Sequence, residues 1–283
     1  MTQRVIIIIL VLIILALTLV TCRVANISIA ENNTETLSLP QPMITSSPSP
    51  SPSTPEPMSA PEEDLLTTPI IQATTKGLII AIDAGHQSIA NHSTEPIGPG
   101  SSTQKAKVAA GTRGISTKVP EYQLNLDISL QLKDELIERG YTVVMIREAN
   151  DVNISNSERA KIAEEESADV FIRVHANGSE NRNIHGILMI TTSRNNPFIP
   201  HLYDQNMALS EAILAEMVEA TGAYNRGVII MDDMTGSNWA TMPVTIIEMG
   251  FMTNADEDEL MQTEEYQQKL VTGIANGIDN YFG

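Results

Sequence analysis

Five short runs of apolar, often β-branched residues recur along the chain: GLIIAID at 77–83, YTVVMIR at 141–147, DVFIRVH at 169–175, HGILMIT at 185–191 and PVTIIEM at 243–249. Runs of this length, bounded by turn residues, follow the pattern of buried strands. The segments between them have helical composition and punctuation. Residues 121–139 follow Pro120, end at Gly140 and are rich in unbranched Leu, Gln, Lys and Glu. A helix is predicted there, although Tyr122, Leu124, Leu126, Ile128, Leu130 and Leu132 alternate as a strand would. Ser155 with Glu158 has the spacing of a capping box and opens a second helix reaching about Ser167. Two more are expected at 202–221 and 264–282, the last weakened by Gly273 and Gly277. Strands alternating with helices predict a single α/β domain, with a mostly parallel or mixed central sheet and helices on both faces. Residues 87–119, containing Pro96, Pro99 and several Gly and Ser, read as one long irregular loop. A loop of that length in a compact domain is more often functional than incidental.

The front of the chain breaks this pattern. Residues 5–20 read VIIIILVLIILALTLV without a charge, preceded by Arg4. Residues 1–26 therefore read as a membrane-directed segment: a cleaved signal, a retained anchor, or a leader cut before a lipidated Cys22. In each case the bulk of the chain is expected outside the membrane. Residues 27–75, which include SSPSPSPSTPEP, offer too little apolar surface to offset the entropy of ordering and read as a disordered Pro/Ser/Thr-rich linker. The globular body is expected at 76–283.

Charge and cysteine usage narrow the chemistry. The formal charge of -18 divides into two Arg against six acids before residue 76 and fifteen Lys/Arg against twenty-nine acids from there on. A body this acidic lacks the basic footprint needed to bind a phosphate backbone, so nucleic acid is excluded as a partner. Cys22 is the single cysteine, so any metal in the body would rest on His and carboxylates.

In open α/β sheets, ligands bind beyond the carboxyl ends of the strands. His86 follows the first predicted strand, His175 closes DVFIRVH, and Glu248 lies near the end of PVTIIEM. Glu121, at the start of its helix, joins them if the long loop folds back over the same edge. Catalytic zinc takes three ligands from His and Asp/Glu and leaves one position for water, a count that His86, Glu121 and His175 fit. Glu248 would suit the proton transfer, and it is harder to read as merely structural, since an ionised carboxylate inside an apolar run is costly unless paired. Each residue also has a plain structural reading: His86 as a hydrogen-bonded turn residue, Glu121 as a complement to the helix dipole. His92, His185 and His201 stand in polar contexts and read as surface residues, and Arg147 and Arg159 read as structural ion pairs.

The segments IIAIDAGH, PEYQLNLDISLQLKDELIERGY, TVVMIRE, NSERAKIAEEESADVFIRVHANGS and VTIIEMGFMTNADEDELM occur in order over residues 77–282. Together they resemble the zinc-dependent N-acetylmuramoyl-L-alanine amidases (amidase type 3), a family of cell-wall hydrolases. The resemblance implies a phosphorylase/hydrolase-like α/β fold, a Zn2+ ion on His86, Glu121 and His175, and Glu248 as the catalytic carboxylate. It further implies peptidoglycan as substrate, cut at the amide between N-acetylmuramic acid and the L-alanine of the stem peptide. Asn177, just after the second His, is a candidate for positioning that substrate. Ala84 and Gln87 stand where the family's first motif commonly has Pro and Gly, and Tyr122 where Lys often follows the ligand Glu. The expected protein is a monomer, anchored in the membrane or secreted to the bacterial cell wall. Two other readings keep the fold: a non-catalytic wall-binding regulator, and a zinc peptidase acting on stem peptides.

Overall fold

A computed structural model describes residues 75–283; the expected membrane segment at 1–26 and, but for its last residue, the linker at 27–75 lie outside the described residues. No helix among the described residues is long and apolar enough to cross a membrane.

All five predicted runs are strands of one six-stranded sheet: β1 (Ile79–Ala84), β4 (Thr142–Met145), β5 (Val170–Asn177), β6 (Ile187–Thr191) and β8 (Val244–Phe251), joined by β7 (Asn225–Ile230). Their order is β4-β1-β5-β8-β6-β7. The first four run parallel, β6 is antiparallel to β8, and β7 is parallel to β6, so the sheet is mixed. The expected irregular loop is partly ordered: β2 (Asn91–Pro96) and β3 (Gln104–Val108) pair as an antiparallel hairpin separate from the main sheet.

Strand alternation divides the core in two. Ile80, Ile82, Val170, Ile172, Val174, Ile247 and Met249 belong to the larger cluster, under α1 (Glu121–Glu138), α3 (Tyr203–Thr221) and α6 (Glu264–Phe282). Ala81, Phe171 and Val244 face the other way, towards α2 (Asn156–Glu165) and the single turn α4 (Thr235–Asn238). Helices therefore cover both faces, and a further short helix, α5 (Ala255–Leu260), follows β8. The capping box at the start of α2 is formed, Ser155 accepting from Glu158 N and Glu158 accepting from Ser155 N. The two glycines that weaken α6 have a packing reason. A Cβ at Gly273 would lie 2.6 Å from Met217 Cα, and one at Gly277 would lie 2.3 Å from Ile213 Cα, so α6 can approach α3 only with glycine at these positions.

Candidate metal centre

The centre is built where β1, β5 and β8 end. After β1 the chain makes its last sheet hydrogen bond from Gly85 N to Val174 O (2.9 Å) and turns at His86, whose φ of 61° is in the left-handed region that residues other than glycine rarely enter. Gly85 has to be glycine, because a Cβ there would fall 2.2 Å from the His175 ring. Two buried arginines brace this turn. Arg159 pairs with Asp83 (Nη1 to Oδ1, 2.6 Å) and donates to the carbonyls of Ala84 and His86. Arg147 departs from expectation: among the described residues it forms no ion pair. It donates instead to the carbonyls of Ala84 (2.7 Å), Gly85 (3.0 Å) and Tyr122 (2.8 Å), tying the His86 turn to the first residues of α1. Burial, with the neighbouring Arg159 charge, pushes the Arg147 guanidinium down to about 10. Gln87 is buried as well, its Oε1 accepting from Arg159 and from Ile154 N.

Glu121 reaches the same edge because the chain before it returns on itself. Thr112 N donates to Glu121 Oε2 (2.7 Å), and Glu121 N donates to Thr112 O (3.0 Å). The return is fastened from a distant helix by the fully buried Asp258, which accepts from Ser116 N (2.7 Å), Thr117 N (2.9 Å) and Thr117 Oγ1 (2.7 Å).

The three side chains converge. His86 Nε2 lies 3.0 Å from Glu121 Oε1, His175 Nδ1 lies 3.2 Å from the same oxygen, and the two ring nitrogens are 3.2 Å apart. One ligand atom from each falls within 4.8 Å of the others, so the group can hold a metal ion. Ala109 O, 2.9 Å from His86 Nδ1, takes the ring proton of a neutral His86 and leaves the Nε2 lone pair facing the carboxylate. Electron-rich atoms brought this close require a cation between them or a proton in its place. The charge distribution carries the same sign. Burial opposes protonation of His86, yet its bonds with Glu121 outweigh burial and raise its pKa. His175 is more deeply enclosed, and burial takes it down to about 4 despite Glu121. Burial likewise opposes ionisation of Glu121, but its bonds to His175 and His86 hold it well below the usual carboxylate range. Two nitrogens and a carboxylate oxygen, with no thiolate, match the donor set of catalytic zinc.

Glu248 sits on β8 opposite His175 in register. Its side chain lines the cleft, but Oε2 is enclosed with no hydrogen-bond partner among the described residues, as is His175 Nε2. Burial, reinforced by the charge of Glu121, lifts Glu248 well above an ordinary glutamate, and Arg173 offsets this only in part.

The cleft has two lobes sharing His86, His175, Asn177 and Glu248. One, of about 610 Å³, is bounded by polar residues including Thr112, Ser179 and Arg182. The other, of about 460 Å³, is bounded by Lys105, Ile190, Met231 and Met234. Its outer wall is β3, and the hairpin is fixed in place by Glu95, which accepts from Ser157 N (3.2 Å) and Ser157 Oγ (2.5 Å) at the start of α2. Asn177 uses Oδ1 to accept from Gly178 N (2.7 Å), leaving its amide NH2 uncommitted among the described residues. His92, His185 and His201 are exposed and away from the group.

The mixed α/β sheet thus carries, in an open cleft, a His/Glu/His group that could hold a metal and a buried carboxyl beside it, an arrangement suited to hydrolysis. The model of the N-acetylmuramoyl-L-alanine amidase family matches residues 80–280. The chain belongs to this family and is a hydrolase of peptidoglycan amides. Among relatives, an uncharacterized protein of Bacillus subtilis, YqiI, is 29% identical over 164 residues, covering 57% of this chain and 74% of YqiI. The N-acetylmuramoyl-L-alanine amidase LytC of the same organism is 26% identical over 167 residues, or 57% of this chain but only 31% of LytC. Among solved structures, the apo N-acetylmuramyl-L-alanine amidase Ami1 of Mycobacterium abscessus superposes with a TM-score of 0.66 at 23% identity, covering 73% of this chain and 99% of Ami1.

Proposed function

We propose that the cleft is a zinc amidase centre, in which His86 through Nε2, Glu121 through its carboxylate and His175 through Nδ1 hold the ion, and Glu248 moves the proton. The observation that supports this most is the convergence of three lone-pair donors on one point beside a buried, unpartnered carboxyl. When bound, the ion polarises an amide carbonyl and brings the pKa of a water towards about 7. The Ala109 carbonyl holds the His86 tautomer, and the Thr112 amide holds Glu121 Oε2, so both ligands are oriented before substrate arrives. Glu248 accepts the proton of the attacking water and delivers it to the alanine nitrogen as the muramoyl amide breaks. Its raised pKa suits both halves of that transfer. The free amide NH2 of Asn177 positions the substrate between the lobes. Residues 1–26, as a membrane anchor or a signal segment, direct the enzyme to the outer side of the membrane.

End-group analysis of digested peptidoglycan tests the reaction. New alanine amino termini without new reducing sugar ends are expected; reducing ends without freed amines would place the chemistry in the glycan instead.

A further inference from the structure

The second lobe contains a buried cation that the chemistry above leaves unused. Arg173 lies on β5 two residues before His175 and is 4% exposed. Its Nε donates to Asp83 Oδ2 (2.9 Å) and its Nη2 to Asn156 Oδ1 (2.8 Å). Nη1 makes no hydrogen bond among the described residues and is not fully enclosed, and Arg173 lines the second lobe.

Asp83, the one carboxylate hydrogen-bonded to Arg173, is shared with Arg159, and both arginines are almost dry. A buried guanidinium that shares its bonded carboxylate with a second guanidinium, keeps one donor free and lines the cleft suits an anion. Beyond the guanidinium the wall is apolar, formed by Ile190, Met231, Met234 and Ile246. An anion seated there would therefore arrive on a partly apolar group. A peptide carboxylate next to an alanine methyl fits this description, whereas a sugar ring, with its ring of hydroxyls, fits the polar first lobe. Backbone at Gly236 closes over the guanidinium, and a Cβ there would fall 2.5 Å from Nη1.

We propose that Arg173 is a specificity-determining residue that receives, on Nη1, a carboxylate of the peptide arm, which lies in the second lobe while the glycan lies in the first. This rests on the amidase reading given above. A guanidinium–carboxylate contact is charge-assisted, directional and lost when the carboxylate is amidated.

The test compares two substrates on the zinc-loaded full-length protein: muramoyl-L-alanyl-D-glutamate with its α-carboxylate free, and the same molecule with that group as the carboxamide. The wild type is expected to prefer the acid by about tenfold or more in kcat/KM, chiefly through KM. Arg173→Met should bring the two substrates to equal values of kcat/KM, and Arg173→Lys should recover part of the preference. Binding of the product dipeptides, acid against amide, is measured alongside by calorimetry, and each variant's melting temperature shows that it is folded. No preference in the wild type, or an equal loss on both substrates in Arg173→Lys, overturns the proposal. If neither substrate is cut but the acidic dipeptide binds in an Arg173-dependent way, the amidase reading fails and the carboxylate subsite stands.

Discussion

His175 and Glu248 are register partners on adjacent parallel strands, β5 and β8, with their side chains on the same face of the sheet. Neighbouring strands lie about 4.8 Å apart, so this pairing sets the proposed nitrogen ligand and the proposed proton carrier side by side on rigid backbone. Glu248→Gln keeps shape and size, so the variant should retain stoichiometric metal while kcat falls by about 10²–10⁴-fold. Metal analysis and turnover on the same preparation check this; loss of metal together with activity would make Glu248 a ligand instead.

Metal removal should be visible in stability as well as in rate. An ion that binds only the folded chain adds about 2.7 kcal/mol at a hundredfold excess over its dissociation constant. Chelation should therefore abolish turnover and lower the melting temperature, and zinc should restore both. In His86→Ala the melting temperature should no longer respond to zinc.

Asp258 touches no ligand, yet it fastens the loop that brings Glu121 into the group. Asp258→Ala leaves two backbone amides and a hydroxyl without their acceptor. Metal affinity is expected to weaken by about 10–100-fold, the range found when a group that orients a ligand is removed. Asp258→Asn keeps one acceptor oxygen and should lie between the two. Titration with a competing chelator measures the difference, and an unchanged affinity in Asp258→Ala would mean that the loop is held without it.

Asp83 gives the fold an acid-sensitive point. Burial alone would raise its pKa, but the charges of Arg159 and Arg173 prevail and hold it well below the usual range. Because the folded pKa is depressed, the stabilisation is complete above the unfolded value of about 3.9 and is lost as pH falls from there through the folded value. Urea unfolding of the wild type should therefore weaken steeply below about pH 4. Asp83→Asn should be less stable at neutral pH by about 3–5 kcal/mol, since it leaves two buried guanidiniums without a counter-charge, and should show a flatter acid limb.

Elements whose stability is local were legible in the chain. Five apolar runs became strands, and α1 was marked by Pro120 before it and Gly140 after it. β7 was not, because Arg226 and Gly227 interrupt the apolar run that ends in Val228, Ile229 and Ile230. The β2–β3 hairpin has the polar sequence NHSTEP on one side, and its order comes from Glu95 reaching Ser157, 62 residues away. The site divides in the same manner. His86, His175 and Glu248 could be placed from strand ends, whereas the position of Glu121 depends on a loop fastened by Asp258, 142 residues from Ser116. Arg147 carries no local sign that its partners are carbonyls rather than acids. Gly273 and Gly277 reveal their use only once α3 lies against them.

The most direct measurement is the mass of the products released from a single purified muropeptide by the zinc-loaded protein. The amidase account predicts a free stem peptide beginning with alanine and a glycan ending in an intact lactyl carboxylate, neither appearing with Glu248→Gln. A product in which alanine remains attached to the sugar would contradict it and assign the centre to a bond within the peptide.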